Sequence, residues 1–228
     1  MTVIFIILAL FYFINGLIYL FAIIHLILKK NKTSHSQSSF FPFVSIIIPS
    51  RNEFKNIDRC IECLTNQEYP EDQYEIIPVN DGSEDGTQER IDSIAENDKK
   101  VRPVHILSHQ RDNKGKINAI NEGIQHARGE IIITTDADIW METNWISQMT
   151  KAFDKETGLV IGMTLDEYSN YPVHAFQALD GAAIRVIAAA LAGINKPITC
   201  QGSNLAFRKE AYIEVRERVL SLATSCGN

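Results

Sequence analysis

Two carboxylates separated by a single residue stand directly after an apolar run in the sequence. Asp136 and Asp138 follow the run from Glu130 to Thr135, whose length and composition are typical of a buried strand. The extended backbone at the end of such a strand can aim both carboxylates into one cleft, and oxygen ligands suit a hard cation such as Mg²⁺ or Mn²⁺. A solvated turn is an equally good explanation of an isolated pair of this kind.

A third acidic residue, Asp81, follows another apolar run in a turn that contains Gly82 and Gly86. Glycine permits a positive φ and lets the backbone approach a ligand closely. Asp81 is placed at the strand end, where it could accept hydrogen bonds from a base or a ribose. Asp85 fits the cap of the following helix. A strand-to-helix turn that binds no ligand is the alternative interpretation.

Two more polar segments flank apolar patterns in the same way. Residues 49–53 (Pro-Ser-Arg-Asn-Glu) follow the first apolar run, and Glu53 would also suit the first turn of a helix. Residues 113–116 (Asn-Lys-Gly-Lys) precede a helical pattern, so their N–H groups and two ammonium groups could bind a diphosphate at the positive end of that helix. The segment lacks the spacing of a P-loop, and a charged surface loop is the alternative.

Strand-like and helical patterns alternate around these segments. The predicted strands cover residues 43–48, 74–79, 101–107 and 130–135. The first predicted helix begins near residue 53, and the others cover residues 88–96, 116–127 and 145–153. The buried face of the helix over residues 116–127 is expected to be Ile117, Ile120, Ile124 and Ala127. This order predicts an α/β fold with a mostly parallel sheet and helices on both faces. Ligands bind beyond the carboxyl ends of such strands, so the polar segments should converge on one crevice.

The spacing of Cys60 and Cys63 is C-x-x-C, which occurs in zinc and redox sites. Cys60 also belongs to an apolar stripe at helical spacing, together with Ile57, Ile61 and Leu64. The other two cysteines are far apart and supply no second close pair. We therefore expect Cys60 to be a core residue, with neither metal nor redox chemistry at this pair.

The apolar run from Val3 to Leu28 is long enough to span a bilayer, which takes about 20 residues. No basic residue precedes the run, the run is longer than the apolar core of a signal peptide, and no small-residue cleavage site follows it. These features favour a membrane anchor over a cleaved signal peptide. Lys29, Lys30 and Lys32 come directly after the run, which predicts that the N-terminus faces outward and that the domain lies in the cytoplasm. The predicted organisation is an anchor over residues 1–29, a polar linker over 30–42 and an α/β domain over 43–228.

The chain of 228 residues carries a formal net charge of −6, and all its acidic residues lie from Glu53 onward. An acidic body argues against a broad nucleic-acid surface, so no nucleic-acid partner is expected.

Three segments in this order resemble glycosyltransferase family 2, whose members have the GT-A fold. They are VSIIIPSRNE from Val44, VNDGSEDGT from Val79 and NKGKINAINEGIQHARGEIIITTDAD from Asn113. Residues 176–180 and 202–208 are similar to the acceptor-side segment of the membrane-bound, cellulose- and chitin-synthase-like branch. The resemblance extends from Val44 to the end of the sequence.

The resemblance implies inverting transfer of a sugar from a nucleotide-sugar donor, a UDP-sugar, to a hydroxyl of a saccharide or lipid-linked acceptor at a membrane, assisted by a divalent cation, Mg²⁺ or Mn²⁺. It implies donor-binding roles for Pro49, Arg51, Asn52, Glu53, Asp81, Lys116 and Asp136. Asp136 and Asp138 would be the catalytic D-x-D pair, with Asp138 the preferred metal ligand. The family usually has two acids where Asn80-Asp81 stands, so Asp81 would fill that role alone.

The family also has a later acidic residue that deprotonates the acceptor, and no counterpart is identified. Glu210, Glu214 and Glu217 share a helix-like stretch with basic residues, where surface ion pairing is the ordinary explanation. We therefore expect nucleotide and metal binding but little transfer, as in a C-terminally truncated fragment or a degenerate copy.

Residues 181–194 are apolar but contain Arg185, and they are interpreted as too short and too charged to span a bilayer. An interfacial helix or a buried core helix is expected instead.

Two other function classes remain open. A sugar-1-phosphate nucleotidyltransferase would be expected to show a glycine-rich loop with Arg and Lys where residues 49–53 stand. A non-catalytic, membrane-anchored nucleotide-sugar-binding protein is the other alternative.

Overall fold

The computed structural model describes residues 10, 13–14, 16–25, 28, 41–106, 115–164, 171–194 and 196–225. Most of the predicted linker lies outside these residues, as do Lys29, Lys30 and Lys32, which carry the topology prediction, and Asn113 and Lys114 of the basic segment. The chain divides into two compact units, residues 1–39 with 163–201 and residues 40–162 with 202–228. Each is described by itself.

The larger unit holds a sheet of six strands within the described residues, in the order β3-β2-β1-β4-β6-β5. The strands are β1 Val44–Ser50, β2 Tyr74–Asn80, β3 Val104–His105, β4 Ile131–Thr135, β5 Leu159–Ile161 and β6 Asn204–Arg208. The first four pair in parallel, whereas β6 is antiparallel to both β4 and β5. The predicted α/β fold is confirmed, and the sheet is mixed because of β6.

Helices cover both faces of this sheet, as predicted. They are α2 Ile57–Thr65, α3 Thr87–Asn97, α4 Lys116–His126, α5 Trp145–Lys151 and α7 Lys209–Ser225. Two other helices, α1 Gly16–His25 and α6 Pro172–Gly193, belong to the smaller unit. The side chains of β1 alternate between two cores: Ile46 and Ile48 pack with residues of α2, α3 and α5, and Ile47 packs with residues of α4. Burial on both faces explains why β1 is an almost continuous apolar run.

Two predicted elements are shorter than expected. Helix α2 begins at Ile57 rather than near Glu53, because residues 54–56 form a turn. Strand β3 has two residues instead of the predicted seven, and Val101 makes only an isolated bridge to Ile76. Pro103 explains the short strand, because proline has no N–H to donate to a neighbouring strand.

The predicted buried face of α4 is partly wrong. Ile117 is 65% exposed, whereas Ala119 and Gly123 are buried beside Ile124. A Cβ at Gly123 would lie 2.6 Å from a methyl carbon of Ile47. The helix therefore packs on the sheet through its small residues, which an apolar stripe alone does not reveal.

The smaller unit contains α1 Gly16–His25 and α6 Pro172–Gly193. The interpretation of residues 181–194 as too short to span was wrong about length, because the helix starts nine residues earlier than the apolar segment suggested. By length and composition α6 is apolar enough to cross a membrane, whereas α1 is shorter as described. Few α6 side chains are buried, namely Ala188, Ala190 and Leu191. Of these, Ala190 and Leu191 pack with Ala22 of α1.

Candidate active site

The carboxyl ends of β1, β2 and β4 open on a cavity of about 300 Å³ in the larger unit. The residues predicted from the sequence that line it are Pro49, Arg51, Glu53, Asp81, Lys116, Asp136 and Asp138. The cavity is also lined by Ser50, Gly115 and Ala137, which lie within the predicted polar segments, and by Ala119, which sequence reasoning missed. Among the predicted site residues that the structure describes, Asn52 alone does not line the cavity.

The order of the strands explains the convergence. β1 lies between β2 and β4, and its last residue, Ser50, pairs in register with Asn80 at the end of β2. The N–H of Asp81 donates to the carbonyl oxygen of Ser50 at 3.0 Å, which continues the parallel ladder by one residue. Asp136 directly follows β4 on the other side of β1. Three segments that are distant in sequence therefore meet at one edge.

The D-x-D pair has a buried residue at its centre. Ala137 is 2% exposed and belongs to the core, whereas the Asp138 side chain is exposed and that of Asp136 is partly buried. Ala137 and Asp138 form a turn, in which the N–H of Ile139 donates to the carbonyl oxygen of Asp136 at 3.2 Å. The buried Ala137 anchors this turn, and Asp136 and Asp138 both line the cavity. The Lys116 ammonium contacts one carboxylate oxygen of Asp136 as an ion pair.

Cys60 lies beneath this segment in the core, as predicted. Its thiol donates to the backbone carbonyl oxygen of Asp136 at 3.7 Å. Burial, with smaller contributions from Cys63, Asp138 and Asp136, raises the pKa of Cys60 to about 12. The thiol is therefore neutral at physiological pH and acts as packing beneath the site.

Asn52 ties the loop after β1 to the loop after β2. Its φ of 58° is positive, a conformation that Asn tolerates better than most residues. Its backbone N–H donates to the hydroxyl of Ser83 at 3.0 Å, and its side-chain oxygen accepts from the N–H of Glu84 at 2.9 Å. Asn52 holds the loop after β1 against the loop after β2 and does not line the cavity.

Asp85 makes a second tie between the same loops. The N-cap of α3 is Gly86 rather than the predicted Asp85. One carboxylate oxygen of Asp85 accepts from the N–H of Thr87 at 3.1 Å, and the other accepts from the N–H of Phe54 at 3.1 Å. Hydrogen bonds, first that of the Thr87 hydroxyl, hold the pKa of Asp85 below its usual value. Gly86 has a φ of 93°, and a Cβ there would lie 3.3 Å from the Phe54 ring.

Asn80 replaces the first of the family's two acids and has a structural role. It is buried, and its side-chain oxygen accepts from the N–H of Ser83 at 3.0 Å while its amide nitrogen donates to Gln88 at 3.0 Å. The side chain thus closes the turn that follows β2. Asp81 is the acid that this turn presents to the cavity.

Among the residues that the structure describes around the cavity, four carry a carboxylate and two carry a basic group. A divalent cation beside these carboxylates would reduce their repulsion of an anionic diphosphate. Within the described ranges no group of three or more His, Cys, Asp and Glu side chains could hold a metal ion. Two carboxylates that leave the remaining coordination positions to water and phosphate oxygens are what Mg²⁺ and Mn²⁺ sites at diphosphates use, so Asp136 and Asp138 fit such a cation.

A larger groove, of about 450 Å³, lies between α2 and α3 and contains none of the predicted site residues. Its charged pair is Asp58 and Arg90, which bond at 2.6 Å and are each 46% exposed. An exposed ion pair of this kind has an ordinary structural explanation.

The sequence profile of the family described as glycosyl transferase family 2 matches residues 45–216. The chain belongs to this family. The match covers the whole cavity and most of the sheet, and the predicted resemblance at family level is confirmed.

Curated relatives match about half of the chain. Glycosyltransferase AglE of Haloferax volcanii is 34% identical over 111 residues, which are 49% of this chain and 35% of the relative. A Methanococcus voltae relative, dolichyl N-acetyl-alpha-D-glucosaminyl phosphate 3-beta-D-2,3-diacetamido-2,3-dideoxy-beta-D-glucuronosyltransferase, is 34% identical over 113 residues, 50% of this chain and 34% of the relative. The matched segment thus spans about a third of each relative's length.

Among solved structures, the mannosyltransferase PcManGT of Pyrobaculum calidifontis, in complex with GDP-Man and Mn²⁺, has a TM-score of 0.65 and 24% identity. The likeness covers 91% of this chain and 56% of that one. At this identity it shows the fold.

The segment expected to be on the acceptor side forms β6 and the turn before it. The hydroxyl of Thr134 donates to the carbonyl oxygen of Gly202 at 2.6 Å, and the indole N–H of Trp145 donates to the side-chain oxygen of Asn204 at 3.1 Å. These residues connect β4 and α5 to β6. Sequence reasoning missed this structural role because the antiparallel pairing joins residues about 70 positions apart.

Proposed function

We propose that this chain is the donor-binding and catalytic part of an enzyme that transfers a sugar from a UDP-sugar to a hydroxyl of a saccharide or lipid-linked acceptor, with inversion at the anomeric carbon. The observation that supports this most is one cavity that collects seven of the eight predicted site residues, six from three strand ends and Lys116 from the start of α4. Membership of glycosyl transferase family 2 supports the class of reaction. The dolichyl sugar phosphate in one relative's name supports a lipid-linked acceptor.

Different side chains around the cavity bind different parts of the donor. Asp81 accepts hydrogen bonds from the base or the ribose at the end of β2. Arg51 and Lys116 place positive charge beside the diphosphate, where a guanidinium and an ammonium are suited to phosphate oxygens. Pro49 and Glu53 complete the wall on the β1 side. The ties through Asn52 and Asp85 hold this wall against the loop that carries Asp81.

The D-x-D carboxylates are proposed to hold a divalent cation, with Asp138 the main ligand. A cation held there supplies positive charge to the leaving diphosphate. Asp138 suits this role because its side chain is exposed at the cavity, whereas Asp136 is shared with Lys116.

The acceptor's proton is assigned to no residue. Glu210 and Glu214 are exposed on α7, and a base must lie within hydrogen-bonding reach of the hydroxyl that it deprotonates.

The cellulose- and chitin-synthase-like branch stays a prediction, as do the single-pass anchor in residues 1–29 and the cytoplasmic domain. A reporter active only in the periplasm, fused after Asn228, should be inactive, and activity would reverse the proposed orientation.

The test of the reaction is UDP release from a panel of UDP- and GDP-sugars with Mn²⁺, followed by analysis of the released sugar's anomeric form. Hydrolysis or transfer that depends on Asp138 supports the proposal. Asp58→Asn is the matched control, because Asp58 is also acidic but lies in the groove between α2 and α3. Pyrophosphate formation from UTP and a sugar phosphate would indicate a nucleotidyltransferase, and nucleotide-sugar binding without turnover would indicate a binding protein.

A further inference from the structure

Lys116 and Asp136 are the only two residues at the cavity that the described structure shows as an ion pair with one another. The lysine is the first residue of α4, and the aspartate directly follows β4. The ammonium contacts a carboxylate oxygen of Asp136, and the two side chains are 49% and 29% exposed. The pair therefore occupies an oxygen that a cation at the D-x-D segment would use.

Two features make this contact easy to break. Exposed ion pairs contribute little, about 0 to 1 kcal/mol in typical measurements. Lys116 also has a long, flexible stem at a helix end, next to Gly115, around which a Cβ would meet nothing within 4 Å. The lysine can leave Asp136 without disturbing the packing of α4, whose buried residues are Ala119, Gly123 and Ile124.

We infer that Lys116 is a counter-ion that exchanges partners: it holds Asp136 in the free protein and moves to the diphosphate when a nucleoside diphosphate binds, which releases Asp136 to the divalent cation. This inference rests on the proposed function, since it needs a diphosphate in the cavity. Before the diphosphate arrives, Lys116 competes with the cation for Asp136 and repels it. Afterwards, Lys116 neutralises a phosphate charge beside the cation. Lys116 thus couples nucleotide and cation binding, and such coupling is reciprocal.

The consequence is a pair of opposite effects from one substitution. Lys116→Met keeps much of the apolar stem and removes the charge. Mn²⁺ alone should then bind about three- to tenfold more tightly, because a competing cation a few ångströms away has gone. UDP in the presence of saturating Mn²⁺ should bind about tenfold more weakly, because one charge-assisted contact is lost. A residue that only stabilises the fold would not strengthen one ligand while weakening the other.

The experiment measures Mn²⁺ binding by the electron paramagnetic resonance signal of free Mn²⁺, without nucleotide, and UDP binding by calorimetry at saturating Mn²⁺. Lys116→Arg keeps the charge, so it should shift neither affinity as far as Lys116→Met does. Lys99→Met is the matched control: Lys99 is exposed at the end of α3, outside the cavity, and its loss should change neither affinity.

The outcomes separate this inference from the proposed function. Opposite shifts in Lys116→Met, smaller in Lys116→Arg and absent from Lys99→Met, support the exchange. Unchanged or weaker Mn²⁺ binding by that variant overturns it while the donor site stands, provided that the wild type binds UDP with Mn²⁺. Failure of the wild type to bind UDP at all, with or without Mn²⁺, overturns both.

Discussion

The two ends of the central sheet both carry acidic side chains but surround them differently. At the amino ends of the strands, the Glu75 side chain is 1% exposed. One of its oxygens accepts from the Ser45 hydroxyl at 2.6 Å and from the Arg128 N–H at 2.7 Å. The other accepts from the Arg128 guanidinium at 2.9 Å and contacts that of Arg102. Donors from Ser45, Arg102 and Arg128 thus occupy both oxygens of this carboxylate.

At the carboxyl ends, the described residues around the cavity include four acidic side chains and two basic ones. A buried carboxylate whose oxygens are filled by protein donors stabilises the fold, whereas carboxylates at a cavity can accept a cation or a hydrogen-bond donor of a ligand. Acidic side chains at the two ends therefore differ in their surroundings and not in their chemistry. Substitutions at the amino ends of the strands should affect stability, and substitutions at the carboxyl ends should affect ligand binding.

The largest expected effect is on turnover at the cavity. Asp138→Asn should lower UDP release by about 10²- to 10³-fold, the range that one electrostatic group in an active site typically contributes. Its thermal melting should stay near that of the wild type, because Asp138 is exposed. Chelation of divalent cations should abolish UDP release by the wild type and should hardly change the low activity that remains in the variant. Full activity in the variant would show that the cation site is misassigned.

At the opposite end the expected effect is on unfolding. Glu75→Gln should lower the free energy of unfolding by about 2 to 3 kcal/mol, because one acceptor oxygen and the charge that faces two guanidinium groups are lost. The loss should fall below that of a fully buried pair, since the Arg102 and Arg128 side chains are 40% and 59% exposed. Denaturant melts measure this. UDP affinity well below the melting transition should not change, and a large drop would show that the two ends are coupled.

The same carboxylate gives a dependence of stability on pH. Burial alone would raise the pKa of Glu75, but the hydrogen bonds from Ser45, Arg128 and Arg102 outweigh it and lower the pKa below its usual value. Its contribution is therefore fully present above the unfolded-state pKa, about 4.3, and is lost as the pH falls through the lower folded-state value. The gap in melting temperature between the wild type and Glu75→Gln should be constant above about pH 5 and should narrow below pH 4. A gap that widens on acidification would contradict this sign.

The sequence predicted the cavity better than it predicted the outer parts of the sheet. Strand ends such as Asp81 and Asp136 were predictable because adjacent parallel strands must end at one edge. The antiparallel strand β6 was not, because its partner β4 lies about 70 residues earlier and no local pattern encodes such a pairing. The hydrogen bonds of Asn52 were not predictable for a similar reason, because its partners, Ser83 and Glu84, lie in another loop.

The smallest expected effect compares two serines, one at each end of the sheet. Ser83 accepts a hydrogen bond from the N–H of Asn52 in the exposed loops beside the cavity, and Ser45 donates to Glu75 and accepts from the N–H of Gly129 in the interior. Ser83→Ala should lower the free energy of unfolding by about 0.5 kcal/mol, because water replaces the lost partner, while Ser45→Ala should lower it by about 1 to 3 kcal/mol.

The loss of UDP affinity should be larger in Ser83→Ala than in Ser45→Ala, which is the reverse of their order in stability. Ser83→Ala removes one tie of the loop that carries Arg51 and Glu53, so UDP affinity with Mn²⁺ should fall about two- to fivefold, or about 0.5 to 1 kcal/mol. Ser45→Ala should leave that affinity unchanged at a temperature where it is folded. Calorimetry and denaturant melts on both proteins give the four values. Equal losses of affinity in the two variants would mean that loop order depends on global stability rather than on the tie between Asn52 and Ser83.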